Sequence, residues 1–141
     1  MADAAVTWGS LRQKSVSLST TEAEYVVACE SVKEGLWLKQ LLHDIEYQWS
    51  DPITISVDNQ SAIRLIKNPE FHKRSKHIDI RYHFVREKYM NQDIDIEYVP
   101  SKEQLADILT KVLSRDSFHY LRGRLGMHRA QKLSKDGSVE I

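Results

Sequence analysis

Short β-rich runs alternate along this chain with helical patterns, and this alternation most constrains the fold that the chain can adopt. Ile53–Val57 and Ile94–Val99 are the two clearest β-rich runs. Apolar residues at helical spacing predict a long helix over Thr21–Ile45 and shorter helices over Gln60–Lys67 and Ile78–Met90. Strands separated by helices in this order predict a mixed α/β domain.

Three further elements are predicted nearer the ends of the sequence. Ala4–Trp8 is a candidate short strand, and Glu103–Leu113 has the apolar spacing of a helix. Phe118–Leu125 is typical of one more short helix. The elements together predict a single domain over residues 1–128, followed by a polar tail over residues 129–141.

The long predicted helix has one apolar face, which we expect to pack against the core. Ser19 or Thr20 is predicted to cap this helix, and Glu22 follows Ser19 by three residues, as in a capping box. The residues of the apolar face are Ala23, Val26, Val27, Trp37, Leu38, Leu41, Leu42 and Ile45.

Glu24 is a better candidate than Glu22 for a carboxylate that faces inward. Glu24 lies roughly 80° from the centre of the apolar face, whereas Glu22 lies roughly 120° away. The flank beside Glu24 carries the small residues Ala28, Ser31 and Gly35, so it can approach a neighbouring element or ligand closely. Glu22 is interpreted as a first-turn acid that complements the helix dipole.

Glu24, Asp58 and Asp107 each fall near the start of a helix or where a strand meets a helix. Each has an ordinary interpretation when taken alone. An Asp after a strand commonly forms a turn or caps a helix, an Asp early in a helix complements the dipole, and Glu24 could be solvated. The functional interpretation depends on all three occurring together, because carboxylates from distant segments can converge on one metal site.

The formal net charge is +0, with 20 basic and 20 acidic residues, which by itself argues against a nucleic-acid-binding protein. The basic residues are clustered, however, and the clusters matter more than the sum. The segment Lys73–Lys88 is the candidate nucleic-acid-binding surface, and a solvated helix face with salt bridges is the alternative. A second basic group includes Arg115, Arg122 and Arg124. The residues predicted to bind nucleic acid are Lys73, Arg74, Lys76 and Arg81.

Composition excludes a membrane protein and predicts an intracellular one, in the cytoplasm or nucleus. No apolar run approaches the roughly 20 residues that cross a bilayer, and the first residues do not form a secretory signal. The single cysteine, Cys29, cannot form an intrachain disulfide and is interpreted as a small buried hydrophobe, with an intermolecular disulfide as the alternative.

Most of the chain, from about Ala5 to Gly126, closely resembles the ribonuclease H domain of copia-type LTR retrotransposon Pol polyproteins. The motifs are long, and the resemblance is therefore specific. The segments that carry it are Val6–Trp8, Leu18–Ala28, Glu34–Leu38, Val57–Ile63, Phe71–Glu87 and Val99–Lys111.

The resemblance implies a ribonuclease H-like mixed sheet flanked by helices, and hydrolysis of the RNA strand of RNA–DNA hybrids. In that family four carboxylates hold two Mg²⁺ or Mn²⁺ ions, one activating water and one stabilising the leaving oxygen. By motif, Glu24, Asp58 and Asp107 match three of the four positions, as catalytic residues and metal ligands.

The sequence departs from the family pattern at its N-terminal end. The family's first Asp lies on a strand ahead of Val6–Trp8, and the sequence lacks that strand and the one after it, so we expect an N-terminally truncated domain. Asp3 is the only acid upstream and does not match the missing position. Loss of a central strand would leave strand edges unpaired, which predicts a homodimer, a partner chain that completes the sheet, or a rearranged fold.

Three functional hypotheses follow. The first is a metal-dependent ribonuclease H by descent. The second is a truncated or co-opted derivative, catalytically impaired because a ligand is missing, that binds nucleic acid or another protein. The third is an interaction role unrelated to nucleic acid.

Overall fold

The structure, a computed structural model, describes residues 5–10, 12–13, 16–17, 19–68 and 79–127, with the backbone alone for residues 79–82. Contacts divide the chain into two units, residues 13–101 and residues 1–12 with 102–141. The predicted tail lies outside the described residues, so the domain boundary at 128 stays a prediction. The elements are α1 (Thr20–Asp44), β1 (Ile53–Val57), α2 (Gln60–Lys67), α3 (Asp79–Met90), β2 (Ile94–Tyr98), a 3₁₀ helix (Ser101–Glu103), α4 (Asp107–Thr110) and α5 (Arg115–Arg124).

Helix α1 begins where its sequence predicts. The Ser19 hydroxyl accepts a hydrogen bond from the Glu22 backbone N–H at 3.1 Å, which satisfies one of the first-turn amides that have no partner within the helix. After Asp44 the chain leaves the helix, and Glu46 adopts a left-handed backbone with φ of 62°. None of the helices in the described part of the chain is long and apolar enough to span a membrane.

The apolar face predicted for α1 is largely the wrong one. Val27, Trp37, Leu41 and Ile45 are between 44% and 66% exposed, and Val26 alone of that face is buried. The helix carries a second apolar stripe on the opposite side, and that stripe packs against β1, α2 and α3. Periodicity detects both stripes and cannot rank them, because burial depends on which neighbours arrive. The residues that α1 buries are Tyr25, Val26, Ala28, Cys29 and Val32.

Strands β1 and β2 confirm the two β-rich runs and pair in parallel, in register from Ile53 opposite Ile94 to Val57 opposite Tyr98. Alternate residues face the helices, since Ile94 and Ile96 are each only 2% exposed. The intervening residues form a polar outer face. These residues are Thr54, Ser56, Asp95 and Glu97.

Helices α2 and α3 complete the core of residues 13–101. The bounds predicted for α2 are confirmed, and its Ala62 and Ile66 are fully buried against Val85 of α3 and the sheet. The Arg86 guanidinium donates to the carbonyl oxygens of Leu65 at 3.2 Å and Asn68 at 3.4 Å. It therefore satisfies carbonyl groups at the C-terminal end of α2 that have no partner within the helix.

Two predictions for the other unit are wrong. The helix predicted over Glu103–Leu113 is replaced by the 3₁₀ helix and the four-residue α4, which ends because Lys111 has extended backbone. Residues 5–8 do not form a strand, and Ala5 N–H instead donates to the Leu125 carbonyl at 3.2 Å. Both segments have suitable side-chain spacing, but a short helix or strand is marginal without a large face to pack against.

The described residues form a mixed α/β structure with a two-stranded parallel sheet. The predicted α/β class is confirmed at that level. The larger mixed sheet implied by the resemblance stays a prediction.

Candidate carboxylate site

Asp58 follows directly on β1, at the carboxyl end of the parallel strand pair. An Asp at this position commonly caps the next helix, but here the neighbouring residue Asn59 caps it. Asn59 Oδ1 accepts hydrogen bonds from the backbone N–H groups of Ser61 at 2.9 Å and Ala62 at 3.1 Å. Ligand-binding groups of open α/β sheets collect at this end of the strands, so Asp58 occupies a position suited to binding.

Glu24 lies on the flank of α1 that faces β1. A Cβ built on Gly35 would lie 3.2 Å from Cγ2 of Ile53, so α1 and β1 approach closely at this glycine. Glu24 precedes Gly35 by 11 residues, which is about three helical turns and leaves the two residues only about 20° apart around the axis. The predicted close approach is confirmed at Gly35, and Ala28 is 3% exposed, whereas Ser31 on the same flank is exposed.

The contact of Gly35 with Ile53 is also a reference point along both elements. Asp58 lies five residues beyond Ile53, and Glu24 lies eleven residues before Gly35. Each residue rises about 1.5 Å along a helix and about 3.3 Å along a strand. Eleven residues of α1 and five residues of β1 therefore both span roughly 16 Å. Glu24 and Asp58 are therefore about equally far from this contact, each measured along its own element.

Asp107 belongs to the other unit and begins α4. It is 8% exposed and the one buried charged residue in the described part of the chain. Its two carboxylate oxygens each lie 2.9 Å from Lys111 Nζ, one turn later on the chain. Because a buried carboxylate is costly unless paired, this ion pair offsets the cost of burying Asp107.

The donor set fits a hard divalent cation, since Glu24, Asp58 and Asp107 supply only carboxylate oxygens and Mg²⁺ prefers oxygen ligands. Glu24 and Asp58 belong to one unit and Asp107 to the other. Within the residues described, no group of three or more His, Cys, Asp or Glu side chains is arranged to hold a metal ion. The assignment of these three residues as catalytic ligands therefore stays a prediction.

Most of the predicted nucleic-acid-binding surface lies outside the described residues. Lys73, Arg74 and Lys76 are in this group, and the backbone of Arg81 alone is described, within α3. Farther along α3, Arg86 caps α2, and Lys88 Nζ forms a 3.0 Å ion pair with Asp93. Lys88 thus forms a salt bridge, as the alternative interpretation expects, whereas Arg86 is half-buried and bonds backbone carbonyl groups.

The chain is similar to three curated plant proteins. It is 43% identical over 124 residues to the retrovirus-related Pol polyprotein from transposon TNT 1-94 of Nicotiana tabacum. It is 39% identical over 124 and 122 residues, respectively, to those from transposons RE1 and RE2 of Arabidopsis thaliana. The matches cover 86–88% of this chain but only 8–9% of each polyprotein. No protein-family model and no solved structure matches the chain.

Proposed function

We propose that this chain, which is homologous to a segment of retrovirus-related Pol polyproteins from plant transposons, is part of a copia-type ribonuclease H-like domain. The substrate of that domain is the RNA strand of an RNA–DNA hybrid. One observation carries the proposal: α1 and β1, whose residues include or precede Glu24 and Asp58, approach closely where Gly35 meets Ile53. The intracellular location expected from the sequence belongs to the same proposal.

In this proposal Glu24, Asp58 and Asp107 would hold Mg²⁺ or Mn²⁺. The bound ions would supply an activated water and would stabilise charge on the leaving 3′ oxygen. Gly35 allows α1 to approach β1 and so positions Glu24, and α2 is capped by Asn59 rather than by the Asp58 carboxylate. Lys111 lies beside the Asp107 carboxylate and offsets the cost of burying its charge.

The proposed domain also needs a larger sheet. The sheet of the described residues contains only β1 and β2, so each strand has a neighbour on one side alone. Unpaired strand edges commonly accept another strand. A partner polypeptide would complete the sheet and supply the fourth carboxylate implied by the resemblance, whereas a second copy of this chain would complete the sheet alone.

A second function is favoured by the contacts of Asp107. Both of its oxygens are paired with Lys111 at 2.9 Å, so the carboxylate already has a cationic partner. A chain in which this pair persists would be a catalytically impaired derivative that still binds nucleic acid or protein. The two functions differ in one observable, namely cleavage of the hybrid.

The test is cleavage of a labelled RNA–DNA hybrid by the purified chain with Mg²⁺ or Mn²⁺. Glu24→Gln is compared with Glu22→Gln, a matched change two residues away on the same helix. Loss of an outer-shell partner of a metal site lowers activity by up to roughly 100-fold, and loss of a direct ligand should lower it further. We therefore expect Glu24→Gln to lower the cleavage rate by more than roughly 100-fold. Glu22→Gln should leave the cleavage rate nearly unchanged. Equal effects of the two variants would contradict the assignment of Glu24. Salt-sensitive binding without any cleavage would support the impaired derivative.

A further inference from the structure

Helix α5 presents a basic stripe formed by Arg115, His119 and Arg122. His119 follows Arg115 by four positions, and Arg122 follows His119 by three. The three residues therefore lie within about 60° around the helix axis and span roughly 10 Å along it. Arg115 and His119 are exposed and Arg122 is half-buried. Beside the stripe, a Cβ on Gly123 would meet no atom within 4 Å, so the approach to the stripe is open.

The arginines of this stripe have no carboxylate partner among the described residues, whereas several lysines do. Lys33, Lys88 and Lys111 form ion pairs of 2.9 to 3.0 Å. The Arg122 Nε is buried and has no hydrogen-bond acceptor within the described part of the chain, although a buried donor without one is costly. Asp116, on the same helix, lies in the first turn, where it complements the dipole.

Arg124 differs from the two stripe arginines in both position and contacts. It lies about 160° around the helix from Arg122. Its Nη1 donates to the Tyr120 hydroxyl at 3.1 Å, and its guanidinium carbon lies 5.9 Å from the centre of the Tyr120 ring. The helix therefore carries an internally partnered arginine and two arginines without a described partner.

We infer that Arg115, His119 and Arg122 contact the phosphate backbone of a nucleic acid. This inference rests on the proposed function, in which the nucleic acid is an RNA–DNA hybrid. Successive phosphates of one strand advance by about 3.4 Å along the axis of a duplex, so the roughly 10 Å stripe covers the axial length of about three nucleotides. Guanidinium groups bind phosphate oxygens in a bidentate manner, and an open stripe beside a glycine lets a backbone approach closely.

The experiment measures binding of a fluorescently labelled RNA–DNA hybrid by anisotropy, in EDTA and at a series of NaCl concentrations. We expect Arg115→Gln to weaken binding and to reduce the slope of log K against log salt by about 0.7–0.9, the value for one lost phosphate contact. Arg124→Gln removes the same charge from the same helix and should leave that slope unchanged. Arg122→Lys keeps the charge and should retain the slope while weakening binding.

The outcomes separate this inference from the proposed function. If the wild-type chain binds the hybrid with a salt-dependent affinity and Arg115→Gln has the wild-type slope, the stripe is not a phosphate-binding surface. Equal effects of Arg115→Gln and Arg124→Gln would likewise overturn the inference, since net charge alone would then explain binding. Displacement of the hybrid by polyglutamate at equal charge concentration would assign the stripe to an acidic protein. Cleavage by the wild-type chain would still support the proposed function in each case.

Discussion

The orientation of α1 can be tested with two identical substitutions on the same helix. Val32 is 0% exposed, whereas Val27, five residues earlier, is 50% exposed and belongs to the face that the sequence predicts to be buried. Val32→Ala and Val27→Ala remove the same two methyl groups. Their difference in unfolding free energy therefore reports burial, because the change in helix propensity is common to both.

The magnitudes follow from the exposed fractions. Burial of two methyl groups contributes about 1.6 kcal/mol, and the cavity left at a fully buried site raises the loss to about 2–3 kcal/mol. The gain in helix propensity from Val to Ala is at most about 0.7 kcal/mol. We therefore expect Val32→Ala to destabilise the chain by about 1.5–2 kcal/mol. Val27→Ala should change stability by less than about 0.5 kcal/mol, because the propensity gain offsets its half-sized burial contribution.

Urea unfolding followed by far-ultraviolet circular dichroism measures both values, provided that the m-value is unchanged between variants. A loss at Val27 equal to that at Val32 would refute this orientation of α1. It would place the Trp37, Leu41 and Ile45 face against a core. A dependence of the Val27 effect on protein concentration would indicate that this face is buried between chains.

Two further substitutions test the elements that position the carboxylates. Asn59→Ala removes the acceptor for two backbone amides of α2 and should destabilise the chain by about 1 kcal/mol in the same urea assay, whereas no change would contradict the capping role. Gly35→Val adds a side chain whose Cβ would already lie 3.2 Å from Cγ2 of Ile53, and it should cost about 1–3 kcal/mol. A stable Gly35→Val variant would show that α1 and β1 are not in close contact at this residue.

The sequence predicts elements well where a local signal is decisive. The bounds of α2 agree because Asn59 caps its start and Asn68 leaves the helix ahead of a proline. The α1 face and the helix over Glu103–Leu113 are predicted from spacing alone, and spacing does not specify which neighbours are present. Where the local signal is weak, tertiary contacts therefore determine the secondary structure and burial of the residues.

The candidate site is also predictable from the sequence in part and dependent on tertiary contacts for the rest. Motif and position identify Glu24 and Asp58 from the sequence, and both lie half-buried in the expected elements. The element that α1 approaches at this flank is not predictable from the sequence, because the contact of Gly35 with Ile53 joins residues of different elements. The sequence shows the arginines of α5 only as a basic group, whereas the structure separates partnered from unpartnered guanidinium groups.

The parallel pairing of β1 with β2 affects the order in which this chain can fold. Paired residues such as Ser56 and Glu97 are 41 positions apart, so the intervening chain must form a loop before the strands meet. Closing a loop of that length costs about 3 kcal/mol of chain entropy, which favours local helix formation before strand pairing. The backbone bond from Val99 N–H to the Val57 carbonyl, next to Asp58, is one of these late contacts. Asp58 therefore reaches its final position only when β1 has paired with β2, 41 positions later in the chain.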